Sequence, residues 1–181
     1  KIGLKLVKNN YRVININYSS KNNSIENIAE NNLKKELTNK YTDTDEKINF
    51  VTHSMGGIIV RYFLTNNNLA NINRIIMLAP PNQGSEMANK WSSYKIVTDT
   101  IGPALKEMTT EDSSLVNTLP NLNFEVGIIA GEYDKKVSPE LAKLGEMKDF
   151  IIFPIGHTWI MNDNKVIEAT LNFLSKGNFS N

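Results

Sequence analysis

The 181-residue sequence contains no cysteine, which excludes disulfide bonds and thiolate metal sites and leaves the redox compartment open. It contains only two histidines, so any chemistry that needs an imidazole must use one of them. No apolar run approaches the roughly 18–20 residues that span a bilayer. The net charge is +1 and both signs are mixed, without the basic patch that nucleic acid requires. The sequence therefore predicts neither a transmembrane segment nor a nucleic-acid partner, and it indicates neither a localisation nor an oligomeric state.

The length favours one domain, residues 1–181, with a single sizeable core. Apolar and β-branched runs predict strands at 11–18, 48–51, 74–79, 124–130 and 149–155. Between them, apolar residues at helical spacing predict helices at 1–9, 25–37, 58–64 and 164–176. Strands that alternate with helices predict an α/β fold whose mostly parallel sheet is covered by helices on both faces.

The central motif of the sequence is a serine between a strand pattern and a helix pattern. Residues 52–57 read Thr-His-Ser-Met-Gly-Gly, which matches the nucleophile elbow G-x-S-x-G except that Thr52 replaces the first glycine. Such a turn holds its serine in a strained conformation, and Gly56 supplies the small neighbour that close packing of strand and helix needs. The following helix directs its free N–H groups toward a developing oxyanion. Ser54 is therefore the candidate nucleophile.

A serine hydroxyl needs a base, and the usual base is histidine. His53 adjoins Ser54, but neighbouring side chains on such a turn point to different sides, so we do not expect it to reach the hydroxyl. His157 follows the last predicted strand. In a parallel sheet the carboxyl ends of the strands form the site, so we predict that His157 is the base.

The base needs a carboxylate to orient it. Asp134 follows the strand at 124–130. The order of the three residues along the chain, Ser, then Asp, then His, is the order found in α/β folds that carry a nucleophile elbow. Glu132 lies in the same loop and has a longer reach, and Asp163 lies beyond the histidine. We favour Asp134, because Asp163 is better explained as a helix cap, and keep Glu132 as the alternative.

Residues 82–123 interrupt the alternation of strands and helices. They contain apolar residues in short amphipathic patterns: Trp91, Tyr94, Ile96, Val97, Ile101, Leu105, Met108, Leu115, Val116 and Leu119. Two interpretations stand side by side, ordinary packing onto the sheet and a helical cap or lid that forms an apolar acyl pocket. At the start of the insert, Gly84 and Ser85 are typical turn residues, and Asn82 or Gln83 could line the site.

The sequence resembles the α/β-hydrolase superfamily, in particular bacterial esterase/lipase-like proteins, over nearly its whole length. The shared motifs are His53-Ser54-Met55-Gly56-Gly57, Ala79-Pro80-Pro81-Asn82-Gln83-Gly84-Ser85, Asp134 before Lys136-Val137-Ser138, the segment Leu144-Gly145-Glu146-Met147-Lys148-Asp149, and His157-Thr158. The resemblance implies a triad of Ser54, Asp134 and His157. It also implies that the Met55 N–H is one oxyanion donor.

The family carries an upstream strand whose His-Gly loop supplies the second oxyanion N–H. The chain starts at Lys1 and residues 1–9 resemble the helix that should follow that loop, so we expect an N-terminally truncated sequence. In the family's sheet this strand lies between the predicted strand at 11–18 and the elbow strand. We therefore expect a gap there.

These features predict a serine hydrolase that cleaves carboxylic esters of small molecules or lipids through an acyl-enzyme on Ser54. The alternatives are an acyltransferase or a thioester or amide hydrolase with the same residues, or a catalytically inactive fragment or binding protein. The sequence predicts no cofactor and no metal site, since no spacing of histidines and carboxylates forms a ligand set.

Overall fold

A parallel β-sheet forms the centre of the molecule. The computed structural model describes residues 1–21, 23–37, 45–92 and 102–180. Within them four parallel strands lie side by side in chain order. They are β1 (Ile48–His53), β2 (Ile72–Leu78), β3 (Glu125–Gly131) and β4 (Asp149–Phe153). The four corresponding strand predictions and the parallel sheet are confirmed.

Helices connect and cover these strands. They are α1 (Ile2–Lys8), α2 (Ile25–Ile28, continued by π-helical turns at Ala29–Lys34), α3 (Met55–Asn66), α4 (Glu86–Ser92), α5 (Leu115–Thr118), α6 (Pro139–Ala142) and α7 (Asn164–Lys176), with 3-10 turns at Pro103–Met108 and Ile160–Asn162. Side chains cap α2 and α7, and one of them, Asp163, is the cap that the sequence predicts. Ser24 Oγ accepts a 3.1 Å hydrogen bond from the Asn27 amide, and Asp163 Oδ1 accepts from the amides of Lys165 and Val166. Gly177 ends α7 with a positive φ of 80°, which a glycine adopts without strain.

Both faces of the central strands β2 and β3 are buried. Along β2, Ile75 and Met77 pack on the face covered by α2 and α3, while Ile76 and Leu78 pack on the face covered by α1 and α7. This explains why the sequence of β2 is a continuous apolar run, since a strand buried on both faces has no polar alternation. In β3, a Cβ at Gly127 would lie 2.6 Å from the Phe173 ring. The absent side chain of Gly127 thus makes room for the ring of α7.

The predicted strand at 11–18 is wrong, because these residues form no helix or strand. The outer edge of β1 pairs with no strand of the described residues. Instead, a cleft of about 1230 Å³ lies there, lined by most residues of 10–18 and by residues 46–53. A β-branched pattern can become a strand only when a neighbour satisfies its backbone groups. The expected gap beside the elbow strand is therefore present, and it also explains why the segment forms no ladder.

The insert at 82–123 packs against α3, the helix that follows Ser54. Ala104, Val116 and Leu122 belong to the same buried cluster as Ile58 and Phe63 of α3. Four of the apolar residues named for the insert, Tyr94, Ile96, Val97 and Ile101, lie outside the described residues. The described part of the insert therefore contributes to the core of the domain.

A buried arginine fastens the insert to α3. Arg61 is only 2% exposed, and its guanidinium donates to the main-chain oxygens of Asn82 (3.1 Å), Val116 (3.2 Å) and Leu119 (3.0 Å). Burial lowers the pKa of Arg61 to about 10, so the cation stays protonated at neutral pH. Asn82 also accepts from Arg61 through Oδ1 and donates to the Ala142 carbonyl. The Asn82 side chain is committed to this structural network and does not line the site.

The turn after β2 is shaped by close contacts. Gln83 donates through its amide to the carbonyls of Glu140 and Lys143, so it too binds the α6 segment. Gly84 has a φ of 94°, and a Cβ there would lie 2.5 Å from the Thr109 carbonyl oxygen. Ser85 Oγ donates to the Lys136 carbonyl at 2.7 Å, which connects the start of the insert to the loop that follows β3.

Candidate active site

The turn between β1 and α3 places Ser54 at the carboxyl edge of the sheet. Ser54 has φ 53° and ψ −129°, a conformation that costs a non-glycine residue about 1–3 kcal/mol. The Ser54 amide donates to the Leu78 carbonyl of β2 at 2.8 Å, and this bond helps to hold the turn. A Cβ at Gly57 would lie 3.1 Å from Pro80 Cβ and 3.3 Å from Met77 Sδ. At Gly56, the glycine of the elbow motif, a Cβ would come no closer than 3.5 Å to another side chain. The close packing that the sequence analysis assigned to Gly56 is therefore found at Gly57.

Thr52 fits at the position where the elbow motif has glycine. Its hydroxyl donates a 3.2 Å hydrogen bond to the Ile76 carbonyl of the neighbouring strand. The Thr52 hydroxyl thus has a hydrogen-bond acceptor in the neighbouring strand. The departure from the motif therefore leaves the strand-turn-helix geometry intact.

Ser54, His157 and Asp134 lie together in one hydrogen-bonded line. His157 Nε2 is 2.9 Å from Ser54 Oγ, and His157 Nδ1 is 2.6 Å from Asp134 Oδ2. His157 is 8% exposed, and the side chain of Asp134 is buried beside it. The three residues follow β1, β4 and β3, whose carboxyl ends meet at the same edge of the sheet. The side chains that the sequence selected are therefore brought into contact.

The Asp134 carboxylate is fixed on both oxygens. Oδ1 accepts from the amides of Lys136 (2.8 Å) and Val137 (3.0 Å), and Oδ2 accepts from His157. Burial alone would raise the pKa of Asp134, but the hydrogen bonds from His157 and from the two amides outweigh it and hold the pKa below its ordinary value. An ionised carboxylate only accepts hydrogen bonds, so His157 Nδ1 carries the proton of that bond, and Nε2 is the ring nitrogen that faces Ser54 Oγ.

The other two acids considered as orienting groups are placed elsewhere. Glu132 is exposed in the same loop, and Asp163 caps α7. Asp134 is thus the acid that contacts the His157 ring.

His53 has a contact that the sequence did not reveal. Its Nε2 lies 3.0 Å from the His157 carbonyl oxygen, and the two rings pack with centroids 4.8 Å apart. Burial, followed by repulsion from His157, lowers the pKa of His53 to about 4, so His53 is neutral near pH 7. Adjacency to Ser54 was the only sequence signal, and it does not tell where the side chain points.

Met55 is the first residue of α3. The first amides of a helix have no acceptor inside it, and here they start directly beside Ser54. In the part of the chain that the structure describes, no group of three or more acidic, histidine or cysteine side chains is arranged to hold a metal ion. Likewise, no helix in the described ranges is long and apolar enough to cross a membrane.

A parallel sheet whose serine stands at a strand-to-helix turn, with the acid and the histidine after later strands, defines the α/β-hydrolase fold. The family model of the PGAP1-like alpha/beta domain matches residues 11–175, and the chain belongs to this family. No curated protein sequence matches the chain.

Solved structures of enzymes share the fold. The mature lipase BlEst2 of Bacillus licheniformis is 16% identical with a TM-score of 0.60, over 87% of this chain and 76% of the lipase. The phospholipase PlaB of Legionella pneumophila is 18% identical with a TM-score of 0.61, over 87% of this chain but only 47% of PlaB. MGS-MChE2, an α/β-hydrolase enzyme from a lagoon-sediment metagenome, is 18% identical with a TM-score of 0.58, over 89% of this chain and 74% of that enzyme. At these identities the likeness establishes the fold.

Proposed function

We propose that this domain is a serine hydrolase that cleaves carboxylic esters through an acyl-enzyme on Ser54. The observation that carries the proposal is the line of two hydrogen bonds from Ser54 Oγ to His157 Nε2 and from His157 Nδ1 to Asp134 Oδ2. A nucleophile, a base and an orienting carboxylate at hydrogen-bond distance are the geometric requirement for acyl transfer.

In the first half of the reaction, Ser54 Oγ attacks the ester carbonyl carbon while its proton moves to His157 Nε2. Asp134 keeps the imidazole in the useful tautomer and stabilises the imidazolium. The tetrahedral intermediate then collapses, the carbon–oxygen bond of the ester breaks, and His157 returns the proton to the leaving alcohol.

In the second half, His157 accepts a proton from water as the water oxygen attacks the acyl-enzyme. The second tetrahedral intermediate releases the carboxylic acid, and Ser54 Oγ recovers its proton from His157. In both halves the Met55 N–H stabilises the oxyanion, because it lies at the start of α3 where the amides and the helix dipole favour negative charge.

The proposal treats residues 1–181 as one α/β-hydrolase domain and the insert at 82–123 as its helical cap. The insert leaves the sheet at the carboxyl end of β2, the edge that carries Ser54, and Ser85 ties it to the loop of Asp134 through the Lys136 carbonyl. Its apolar composition favours a hydrophobic acyl group. The lipase and phospholipase that share the fold support an ester substrate, small or lipidic, and the mechanism needs no metal and no cofactor.

Hydrolysis of p-nitrophenyl butyrate by the parent protein and by Ser54→Ala tests the proposal. We expect turnover in the parent and a loss of at least about 10³-fold in the variant, in line with the effect of removing a triad member. A fluorophosphonate should label the parent at Ser54, as identified by peptide mass. Equal turnover in both proteins would refute the assignment of Ser54.

Acyl transfer to an acceptor other than water, and cleavage of a thioester or an amide, would use the same three residues. Fluorophosphonate labelling supports all of them equally. Product analysis after turnover in the presence of an alcohol or amine acceptor separates transfer from hydrolysis. A chain that takes up no fluorophosphonate would favour an inactive fragment or a binding protein.

A further inference from the structure

His53 connects the strand of the nucleophile to the loop of the proposed base. It is the last residue of β1, and its Nε2 lies 3.0 Å from the main-chain oxygen of His157. A carbonyl oxygen only accepts hydrogen bonds, so Nε2 must be the protonated nitrogen of His53. The His53 ring also packs against the His157 ring at 4.8 Å between centroids and 47° between planes. His53 thus contacts the backbone and the ring of the same residue.

The loop that carries His157 is held by few bonds. It contains neither helix nor strand between the end of β4 and the 3-10 turn at residue 160. The Ile155 carbonyl accepts from the Tyr133 amide, and the Gly156 carbonyl accepts from the Trp159 amide. The next carbonyl, that of His157 itself, is the one that His53 binds. Asp134 fixes the ring through one nitrogen, whereas His53 fixes the main chain from which the ring extends.

The groups around His53 keep it neutral, so that it acts as a hydrogen-bond donor and not as a second base. The charged or titratable groups that act on it are His157, Asp134 and Lys136. Burial and the neighbouring imidazole disfavour its protonated form, so His53 remains neutral while it donates through Nε2. The nitrogen within hydrogen-bond distance of Ser54 Oγ is Nε2 of His157, at 2.9 Å.

We propose that His53 is a positioning residue for the reaction: its hydrogen bond to the His157 carbonyl holds the loop so that Nε2 of His157 stays within reach of Ser54 Oγ. This inference rests on the proposed function. It predicts that the hydrogen bond of His53 contributes more to kcat than the packing of its ring, since the bond joins the strand that leads into Ser54 directly to the backbone of the base. A misplacement of about 1 Å at a reacting group can cost roughly 10² in rate.

Two matched variants separate the hydrogen bond from the ring packing. His53→Phe keeps an aromatic ring against His157 but has no donor, and His53→Gln has an amide that can donate to the carbonyl but no ring. With p-nitrophenyl butyrate we expect His53→Phe to lower kcat by about 10–10² with KM unchanged. We expect His53→Gln to retain kcat within about threefold, a rescue that a purely packing role would not produce. Urea denaturation of both variants shows that the chains compared are folded.

A readout that does not depend on turnover separates this inference from the proposed function. The proton between His157 Nδ1 and Asp134 gives a low-field ¹H NMR signal, which we expect to persist in His53→Gln and to broaden or shift in His53→Phe. Equal turnover by the parent and Ser54→Ala would refute the proposed function, while the NMR signal would still report whether His53 positions His157. The inference is overturned if His53→Phe keeps the parental kcat and signal, or if His53→Gln loses as much as His53→Phe.

Discussion

Replacement of Asp134 by asparagine should invert the hydrogen bonding of the proposed base. Asp134 Oδ1 accepts from two backbone amides, those of Lys136 and Val137, and these can only donate. In Asp134→Asn the carbonyl oxygen of the new amide must therefore stay at that position. Its NH₂ group then faces His157 Nδ1, which has to accept, so the ring proton moves to Nε2.

This tautomer cannot accept the Ser54 proton, because Nε2–H points at Ser54 Oγ across the 2.9 Å contact. We expect kcat to fall by about 10⁴, or about 5 kcal/mol of transition-state stabilisation. The fold should be nearly unaffected, since the acceptor of both amides is preserved.

The assay is kcat for p-nitrophenyl butyrate beside the free energy of unfolding in urea. Glu132→Gln is the matched control, because it removes an exposed carboxylate from the same loop and should change kcat less than about twofold. A loss below tenfold in Asp134→Asn, or an equal loss in Glu132→Gln, would refute the reasoning about the tautomer.

Three further predictions concern stability. Arg61→Met should lower the free energy of unfolding by about 3 kcal/mol in urea denaturation. Two buried carbonyls and the part-buried one of Leu119 lose their donor at about 1–3 kcal/mol each, and removal of a buried cation offsets part of this cost. Arg12→Met, at an exposed arginine, should change it by less than about 1 kcal/mol, and equal effects would contradict the role of Arg61. The pKa of His53 is lowered to about 4, whereas the pKa of a histidine in an unfolded chain is about 6.5. At a pH between these two values, only the unfolded chain takes up a proton on this residue. This one residue should make the domain about 2 kcal/mol less stable at pH 5 than at pH 8, and His53→Gln should reduce the measured pH dependence by that amount, whereas an unchanged dependence would contradict the burial argument. Gly127→Ala should cost about 1–3 kcal/mol in thermal unfolding, because its Cβ would lie 2.6 Å from the Phe173 ring, and Phe173→Leu in that background should recover part of the loss if this contact is the cause.

The parts of the fold that the sequence predicted are those whose cause is local. The continuous apolar run of β2 marks a strand buried on both faces, and the cap Asp163 with the terminal Gly177 marks the ends of α7. The segment at 11–18 has an equally strong β-branched pattern, yet it forms no strand. A ladder needs a neighbour, and strand propensity alone does not supply one.

The same distinction applies to the site. Chain order and strand ends selected Ser54, Asp134 and His157, because parallel strands bring their carboxyl ends to one edge. The choice of Asp134 over Glu132 depended on the turn in which two amides bind Oδ1, and sequence spacing does not determine that turn. The contact of His53 depended on the direction of a single side chain at the end of a strand, which no periodicity encodes.

The burial of Arg61 could not be predicted from the sequence for another reason. In the helical pattern it looks like an ordinary polar position of α3. Its burial depends on three carbonyl oxygens that converge from two ends of the insert, the start at Asn82 and the later part at Val116 and Leu119. Such convergence is a property of the assembled tertiary structure.

The Arg61 network also limits how the insert can move. Val116 and Leu119 are tied to α3 by a buried cation, and each charge-assisted bond contributes about 1.5–3 kcal/mol. To release both bonds would cost about 3–6 kcal/mol, so the detached state would have a population between about 6 × 10⁻³ and 4 × 10⁻⁵. This part of the insert therefore stays against α3 in nearly every molecule, and any opening there would first have to break both bonds.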